Sequence, residues 1–554
     1  MAIVPGELGV RVPVGSDAQR WATVSSARIV LAVGRTVTST VRLLEVLDLF
    51  RDDVRVQVVF AVDPGSVFGD GVRELLVSVG AKTVSWDRVA TVGADLVVTA
   101  SENVELAGVV APMVVLPHGV GFHKLVPGRD GGVRVSGVVP DRMARRDDVV
   151  MVVSHPGQIA QLKQVSPLAA DRAVVAGDLT YDRFVASARW RDRYRRSMGV
   201  ENGRRLVVLS STWRSQSLWG QWRNLPEQVL AALPSDEYQV AMILHPNVWF
   251  GHGPWQVRTW LARAREAGLM VVPPTAGWQA AVVAADVVVG DHGSVTFYAA
   301  ASGAPILLGA FGDEAVPATA MAELGRLADR LDPGQSIRSQ LDAAIAEHRP
   351  GRLAALTGEA FALVGQASAT LRDLLYERLN LPALPGAAAV RAWPVPVPER
   401  SPVASFVVYT TVDAAAVVVR RYPAAVEPYP EDETDRVLRH RAVYDDEADL
   451  RSVENASVIV RRDTCDEATA TAWAIAELDR NPGVRLTAAS SGHTCVAVLD
   501  DRRRVTATSE EFHDPMLPAA AIYTLLRLET LRDGEVMVRI GGRQTSFVLR
   551  VETT

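Results

Sequence analysis

The chain has 554 residues, 48% of them hydrophobic and 22% charged. That is a globular composition with length for roughly three or four domains, which excludes collagen-like, disordered and disulfide-scaffold classes. Its 58 basic against 64 acidic residues give a net charge of -6, so no whole-chain positive field is available for nucleic acid or anionic lipid, and no nucleic-acid partner is expected.

Residues 1–27 read as an amino-terminal arm without the basic and apolar regions of a signal peptide. From Arg28 the pattern alternates: a strand at Arg28–Val33, a helix at Val41–Phe50, a strand at Val54–Phe60, a helix at Val72–Val79, then strands at Asp95–Thr99, Met113–Leu116 and Val149–Val153. Short apolar runs separated by helical patterns predict a parallel sheet with crossover helices, hence a doubly wound α/β domain over 28–200. A second series follows at Arg205–Leu209, Pro226–Leu233, Gln239–Leu244, Pro254–Ala267, Leu269–Val272, Trp278–Ala284, Asp286–Val289 and Ile306–Leu308. It predicts another doubly wound domain over 201–380, facing the first across a cleft. The dense basic stretch Arg189, Arg191, Arg193, Arg195 and Arg196 reads as a solvated helix joining the two, with peripheral membrane contact as the alternative.

Residues 381–402 are Pro-rich and predict a stiff, extended linker. Beyond it, 403–554 reads as an α+β antiparallel module. Its expected elements are strands at Phe406–Thr411 and Ala415–Arg420, a helix opened by a Thr464-x-x-Glu467 capping box, a hairpin turning near Ser491–Gly492, a Pro515–Leu531 helix and a final hairpin across Gly541–Gly542. The module's role is open, with self-association into a homo-oligomer or partner recognition as candidates. No apolar run approaches the ~20 residues of a bilayer span. Cys465 and Cys495 lack CxxC spacing, are expected as buried thiols, and suit a reducing cytoplasm.

Ligands of open α/β sheets sit at strand carboxyl ends, so the polar turns there are the candidate site. The turn Asp291-His292-Gly293-Ser294 precedes a small-residue helix whose first-turn amides and dipole favour a phosphate; an ordinary N-cap is the plainer reading. His118, on the Gly-flanked loop Pro117–Lys124, can exchange a proton near neutral pH, and Lys124 can meet an anion. His245-Pro246 and Ser210-Ser-Thr212-Trp-Arg214 end two further strands. The other histidines (His155, His252, His292, His348, His440, His493 and His513) show no metal-ligand spacing, so neither a metal site nor a cofactor is expected; His123 is read as exposed.

These turns resemble the CDP-glycerol glycerophosphotransferase family, the teichoic-acid primases and polymerases of GT-B fold. The similar residues are His118-Gly119 with Lys124-Leu125, Gly177 with Asp182-Arg183, Thr212-Trp213-Arg214, His245-Pro246, and Asp291 with Ser294 and Phe297, all in the family's order. The resemblance implies that His118 activates an acceptor hydroxyl, with His245 as its catalytic partner at the donor. Gly119, Lys124, Asp182, Thr212, Arg214, Asp291, Gly293 and Ser294 would bind the nucleotide-diphosphate donor. A polymer or lipid-linked acceptor would be extended on the cytoplasmic side, with peripheral contact at the inner membrane face as the family's manner implies. Val120, Gly121-Phe122, Gly293 and Tyr298 depart from the family pattern. A nucleotide-sugar glycosyltransferase and a non-catalytic nucleotide-binding scaffold therefore stay open.

Overall fold

The computed structural model describes residues 10–11, 23–66, 68–128, 131–201, 203–414, 416–428, 437–510 and 514–552; His513, read above as without metal-ligand spacing, lies outside these. The first domain is built on an eight-stranded parallel sheet. From edge to edge its strands are Val10–Arg11, Lys82–Val84, Val56–Val62, Arg28–Gly34, Leu96–Thr99, Met113–Val115, Val149–Val153 and Ala173–Val175. Leu96–Thr99 and Val149–Val153 are buried throughout, as expected where helices cover both faces of a parallel sheet. The strand order reverses between Arg28–Gly34 and Leu96–Thr99, which opens a crevice at their carboxyl ends. A small hairpin, Leu125–Pro127 with Val133–Val135, stands beside it.

The second domain carries a six-stranded parallel sheet in the order Met270–Val272, Tyr238–Leu244, Arg205–Ser211, Val287–Gly290, Ile306–Leu308, Asp329–Arg330. The helix expected over Pro254–Ala267 is broken into Pro254–Trp260 and Ala262–Glu266. After this sheet the chain returns to the first domain. Leu371, Leu374, Leu375 and Tyr376 of the Ala367–Arg378 helix pack into the core around Val30, Leu43 and Val46, and Tyr376 donates to Asp53 at 2.8 Å. The basic stretch is docked rather than solvated along its whole length: Arg191 and Arg195 both pair with Asp286 of the second domain at 2.6 Å, and Tyr194 is fully buried.

The Pro-rich run lies extended on the two domains. Trp393 is pegged into the core, its carbonyl accepting from Tyr194 at 2.7 Å and its ring covered by the Arg183 guanidinium at 3.5 Å. The carboxyl-terminal α+β module is a closed barrel. Around its circumference run Ser405–Asp413, Ala416–Pro423, Gly534–Ile540, Arg543–Glu552, Arg504–Thr508, Thr494–Leu499, Leu486–Ser491, Val458–Val460 and Leu438–Tyr444, which returns to the first. Most neighbours are antiparallel, but Ala416–Pro423 with Gly534–Ile540, and Val458–Val460 with both its neighbours, are parallel. The Met516–Arg527 helix packs against the inward-facing residues of strands around the barrel and is buried from Pro518 to Thr524. The Glu467–Arg480 helix packs outside. Its N-cap is Asp466, which accepts from Thr469 N, so the capping box expected from Thr464 does not form. Cys495 is buried in the barrel core, whereas Cys465 is only half-buried, because it precedes that outer helix.

Candidate active site

A cavity of about 500 Å³ lies between the two parallel-sheet domains, at the carboxyl ends of both sets of strands. His118, Gly119 and Lys124 reach it from the loop after Met113–Val115, Thr212 from the end of Arg205–Ser211, His245 from the end of Tyr238–Leu244, and Gly293 and Ser294 from the turn after Val287–Gly290. Asp182, Arg214 and Asp291 do not line it.

Asp291 holds the second-domain wall together from behind. It is fully buried; Oδ2 accepts from Thr212 N and Leu218 N, both at 2.8 Å, and Oδ1 accepts from Gly293 N at 2.9 Å. Burial pushes its carboxyl up, against the opposing pull of His292 and the three amides. Gly293 N is thus already engaged, which removes it from the set of phosphate donors. The Ser294–Ala301 helix has Gly293 as its N-cap with no side-chain cap, so its first-turn amides stay open at the cavity. Gly119 sits so close that a Cβ there would meet Ser294 Oγ at 2.6 Å, and Ser294 Oγ accepts from Val120 N at 3.3 Å across the domain boundary.

His245 caps the Pro246–His252 helix: Nδ1 accepts from Asn247 N at 3.1 Å. Burial, with lesser repulsion from Lys124 and His118, pushes its pKa down to about 3. At neutral pH the ring is therefore uncharged with its proton on Nε2, which makes it a hydrogen-bond donor rather than a base. Trp213 stacks against this ring with centroids 6.1 Å apart, and Phe68 of the first domain meets Trp213 edge-on.

Sequence reasoning missed Glu314, on the loop after Ile306–Leu308. Its carboxylate lies 3.1 Å from Lys124 Nζ, 2.8 Å from Arg214 Nη1 and 3.2 Å from His292 Nε2. Burial alone would raise the Glu314 carboxyl, but these groups hold it below its ordinary value. Arg214, at φ +80°, is committed to this carboxylate, and Lys124 shares it. The same loop is stitched to the first domain by Leu125 N to Glu314 O at 2.7 Å and Val316 N to His123 O at 2.8 Å. The missed signal was positional: Glu314 follows a strand end like every other site turn.

His118 is exposed at the cavity wall, and Glu102 lines the same cavity. Burial opposes ionisation of Glu102, yet His118, Arg134 and backbone amides hold its carboxyl below the ordinary value. His123, expected exposed, is buried beneath the loop; its Nδ1 donates to Val120 O at 2.9 Å, and desolvation pushes its pKa down to about 4. His292, read as having no role, is buried and lines the cavity. Asp182 instead binds the crossover helix, accepting from Gly365 N at 2.6 Å and Ala367 N at 2.9 Å.

Under the cavity a polar network joins the domains. Arg42 donates to Asp178 at 3.0 Å and to Thr180, Tyr298 Oη donates to Asp178 at 2.9 Å, and Gln279 donates to Glu45 at 3.2 Å. Tyr298, a departure from the family pattern, here receives a carboxylate from the first domain. Among the described residues no group of His, Cys, Asp or Glu could hold a metal ion.

Two parallel-sheet domains facing across one cleft, with a helix crossing back to the first, define the GT-B architecture. No protein-family model and no curated protein matches the sequence. Among solved structures, a variant of the wall teichoic acid polymerase TagF is similar over 64% of this chain and 90% of its own, at 13% identity and a TM-score of 0.47. The UDP-bound MnaA of S. aureus is similar over 65% and 100%, at 12% identity and 0.40. The UDP-GlcNAc 2-epimerase of Neisseria meningitidis, bound to UDP-GlcNAc, is similar over 64% and 99%, at 10% identity and 0.34. No helix among the described residues is long and apolar enough to cross a membrane.

Proposed function

We propose that this chain is a GT-B transferase that moves a glycerol-phosphate or sugar unit from a nucleotide-diphosphate donor such as CDP-glycerol to a hydroxyl of a cell-surface polymer or lipid-linked acceptor. The supporting observation is the convergence, on one interdomain cavity, of an uncapped helix N-terminus, a neutral His245 and an exposed His118.

The donor's phosphates lie against the first-turn amides of the Ser294–Ala301 helix, with Nε2–H of His245 as a further donor and Lys124 beside them. His118 takes the acceptor's hydroxyl proton while the acceptor oxygen attacks. In glycerol-phosphate transfer a bond forms from that oxygen to the distal phosphorus, and the bond from that phosphorus to the bridging oxygen breaks. The electron pair leaves with CMP. Developing charge on the phosphoryl oxygens falls on amides and an imidazole N–H that are already oriented.

Thermal titration of the full chain with CDP, CDP-glycerol, UDP and UDP-sugars tests the reading. A rise in melting temperature with at least one of them is expected. No rise with any of them overturns the donor assignment. His118→Ala is expected to keep nucleotide binding and lose transfer by about 100-fold or more.

A further inference from the structure

The setting of His245 depends on groups of the other domain. The ring caps the Pro246–His252 helix through Nδ1, so its Nε2–H turns with that helix, and one ring face rests on Trp213. Both supports reach the first domain through aromatic contacts. Phe68 meets Trp213 edge-on with centroids 5.9 Å apart. Phe250, one turn along the helix, packs against the cores of both domains. Its ring lies over Gly71 of the first domain's Gly69–Ser78 helix, where a Cβ would fall 2.6 Å from Phe250 Cγ.

Glycine inside a helix is destabilising relative to alanine, because it has more backbone freedom to lose. At Gly71 the missing Cβ is what admits the ring. Cγ sits at the root of the phenylalanine side chain, so a small rotation of the ring does not clear a methyl group. The first domain thus offers a notch that an aromatic knob from the second fills, while Phe68, just before the same helix, closes on Trp213. Neither Gly71 nor Phe250 lines the cavity. The surroundings of His245 nevertheless include the first domain, since Lys124 and His118, the two charges that oppose its protonation, both belong to it.

We propose that Phe250 is a positioning residue for the transfer: seated in the Gly71 notch, it fixes the helix that His245 caps against the first domain, so that Nε2–H of His245 is aimed at the donor's phosphates only while the two domains are in contact. The role of His245 toward a donor rests on the proposed transferase reading; the dependence of its environment on the notch does not. Without the seat the helix is held by the second domain alone, and water reaches the imidazole.

Deuterium exchange at the imidazole C2 position, read by mass spectrometry across pH on the full chain without nucleotide, follows His245 and His440 of the barrel separately. Both titrate at about 3 in the wild type. In Phe250→Ala and in Gly71→Ala the His245 midpoint is expected to rise by about 1 pH unit or more toward the ordinary histidine value, while His440 keeps its own. The double variant is expected to match Phe250→Ala, because without a ring the added methyl has nothing to displace. Phe250→Ala is also expected to weaken the tighter-binding of CDP and UDP about fivefold, and to weaken it less than twofold in a His245→Ala background. If the wild type binds neither nucleotide, the donor assignment falls, and the histidine titration still decides the positioning. The proposal is overturned if His245 titrates as in the wild type in both single variants with the fold intact by melting temperature, if His440 moves with it, if the two single effects add in the double variant, or if the nucleotide loss is the same with and without His245.

Discussion

His440 offers a clean test of how burial sets the protein's acid sensitivity. It lies on the Leu438–Tyr444 strand, 4% exposed, against Tyr523 with ring centroids 4.3 Å apart, and neither ring nitrogen has a hydrogen-bond partner among the described residues. Desolvation pushes its pKa down to about 3, against about 6.5 in an unfolded chain. Between those values the unfolded chain binds a proton that the folded barrel does not. The stability is therefore full above about pH 6.5 and is lost as pH falls toward 3. At pH 5, about 1.5 pH units below the unfolded value, the loss is about 2 kcal/mol. His440→Leu removes the titration. Its packing effects do not depend on pH, so they cancel when each protein is compared with itself. Hydrogen exchange of barrel amides at pH 7.5 and pH 5, corrected for intrinsic rates, should show wild-type protection falling by about 30-fold more than that of the variant. Parallel changes in the two proteins would refute the reasoning.

Asp291→Ala leaves three amide donors without an acceptor and should lower the unfolding free energy by about 3 kcal/mol or more. Asp291→Asn keeps one oxygen and should cost less, so equal losses in urea unfolding would count against the geometry. Gly119→Ala should break the Val120–Ser294 contact at a stability cost of about 1 kcal/mol, since Ser294 Oγ can rotate away. Because the loop bearing His118 then loses its tie to the second domain, transfer activity on the proposed reading should fall while the melting temperature changes by only a few degrees. Glu314→Gln frees Lys124 and Arg214 from an anionic partner. CDP binding should then become more salt-dependent than in wild type, measured by titration at 50 and 500 mM salt.

The two parallel sheets were legible because buried strands in α/β domains are near-continuous apolar runs, as at Arg205–Ser211 and Val149–Val153. The barrel's closure was not. Leu438–Tyr444 alternates Arg439 and Arg441 with His440 and Ala442, and a strand whose inward positions include a histidine does not stand out by hydropathy. Closure also needs pairings such as Ala416 with Met537, which no local pattern specifies. The turns of the site were legible as strand ends, whereas the partner of each side chain was not. Asp182 and Asp291 both looked like ligand-binding acids; each instead satisfies backbone amides of a distant segment, a demand visible only once the chain is folded.

Read as bare residue types, His118, Lys124, Arg214 and His245 at strand ends would make the cleft a cluster of positive charge, and the fold changes that account. His245 is neutral, and Arg214 and Lys124 share one carboxylate, so those two cations and Glu314 leave a single net positive charge in that cluster. The remaining attraction is directional: first-turn amides of the Ser294–Ala301 helix and an imidazole N–H, fixed by Asp291 and Asn247. Groups of that kind discriminate by geometry and bring no mobile countercharge that must reorganise during reaction. On the proposed donor reading, directional groups of this kind hold a diphosphate in an acidic protein without a basic surface.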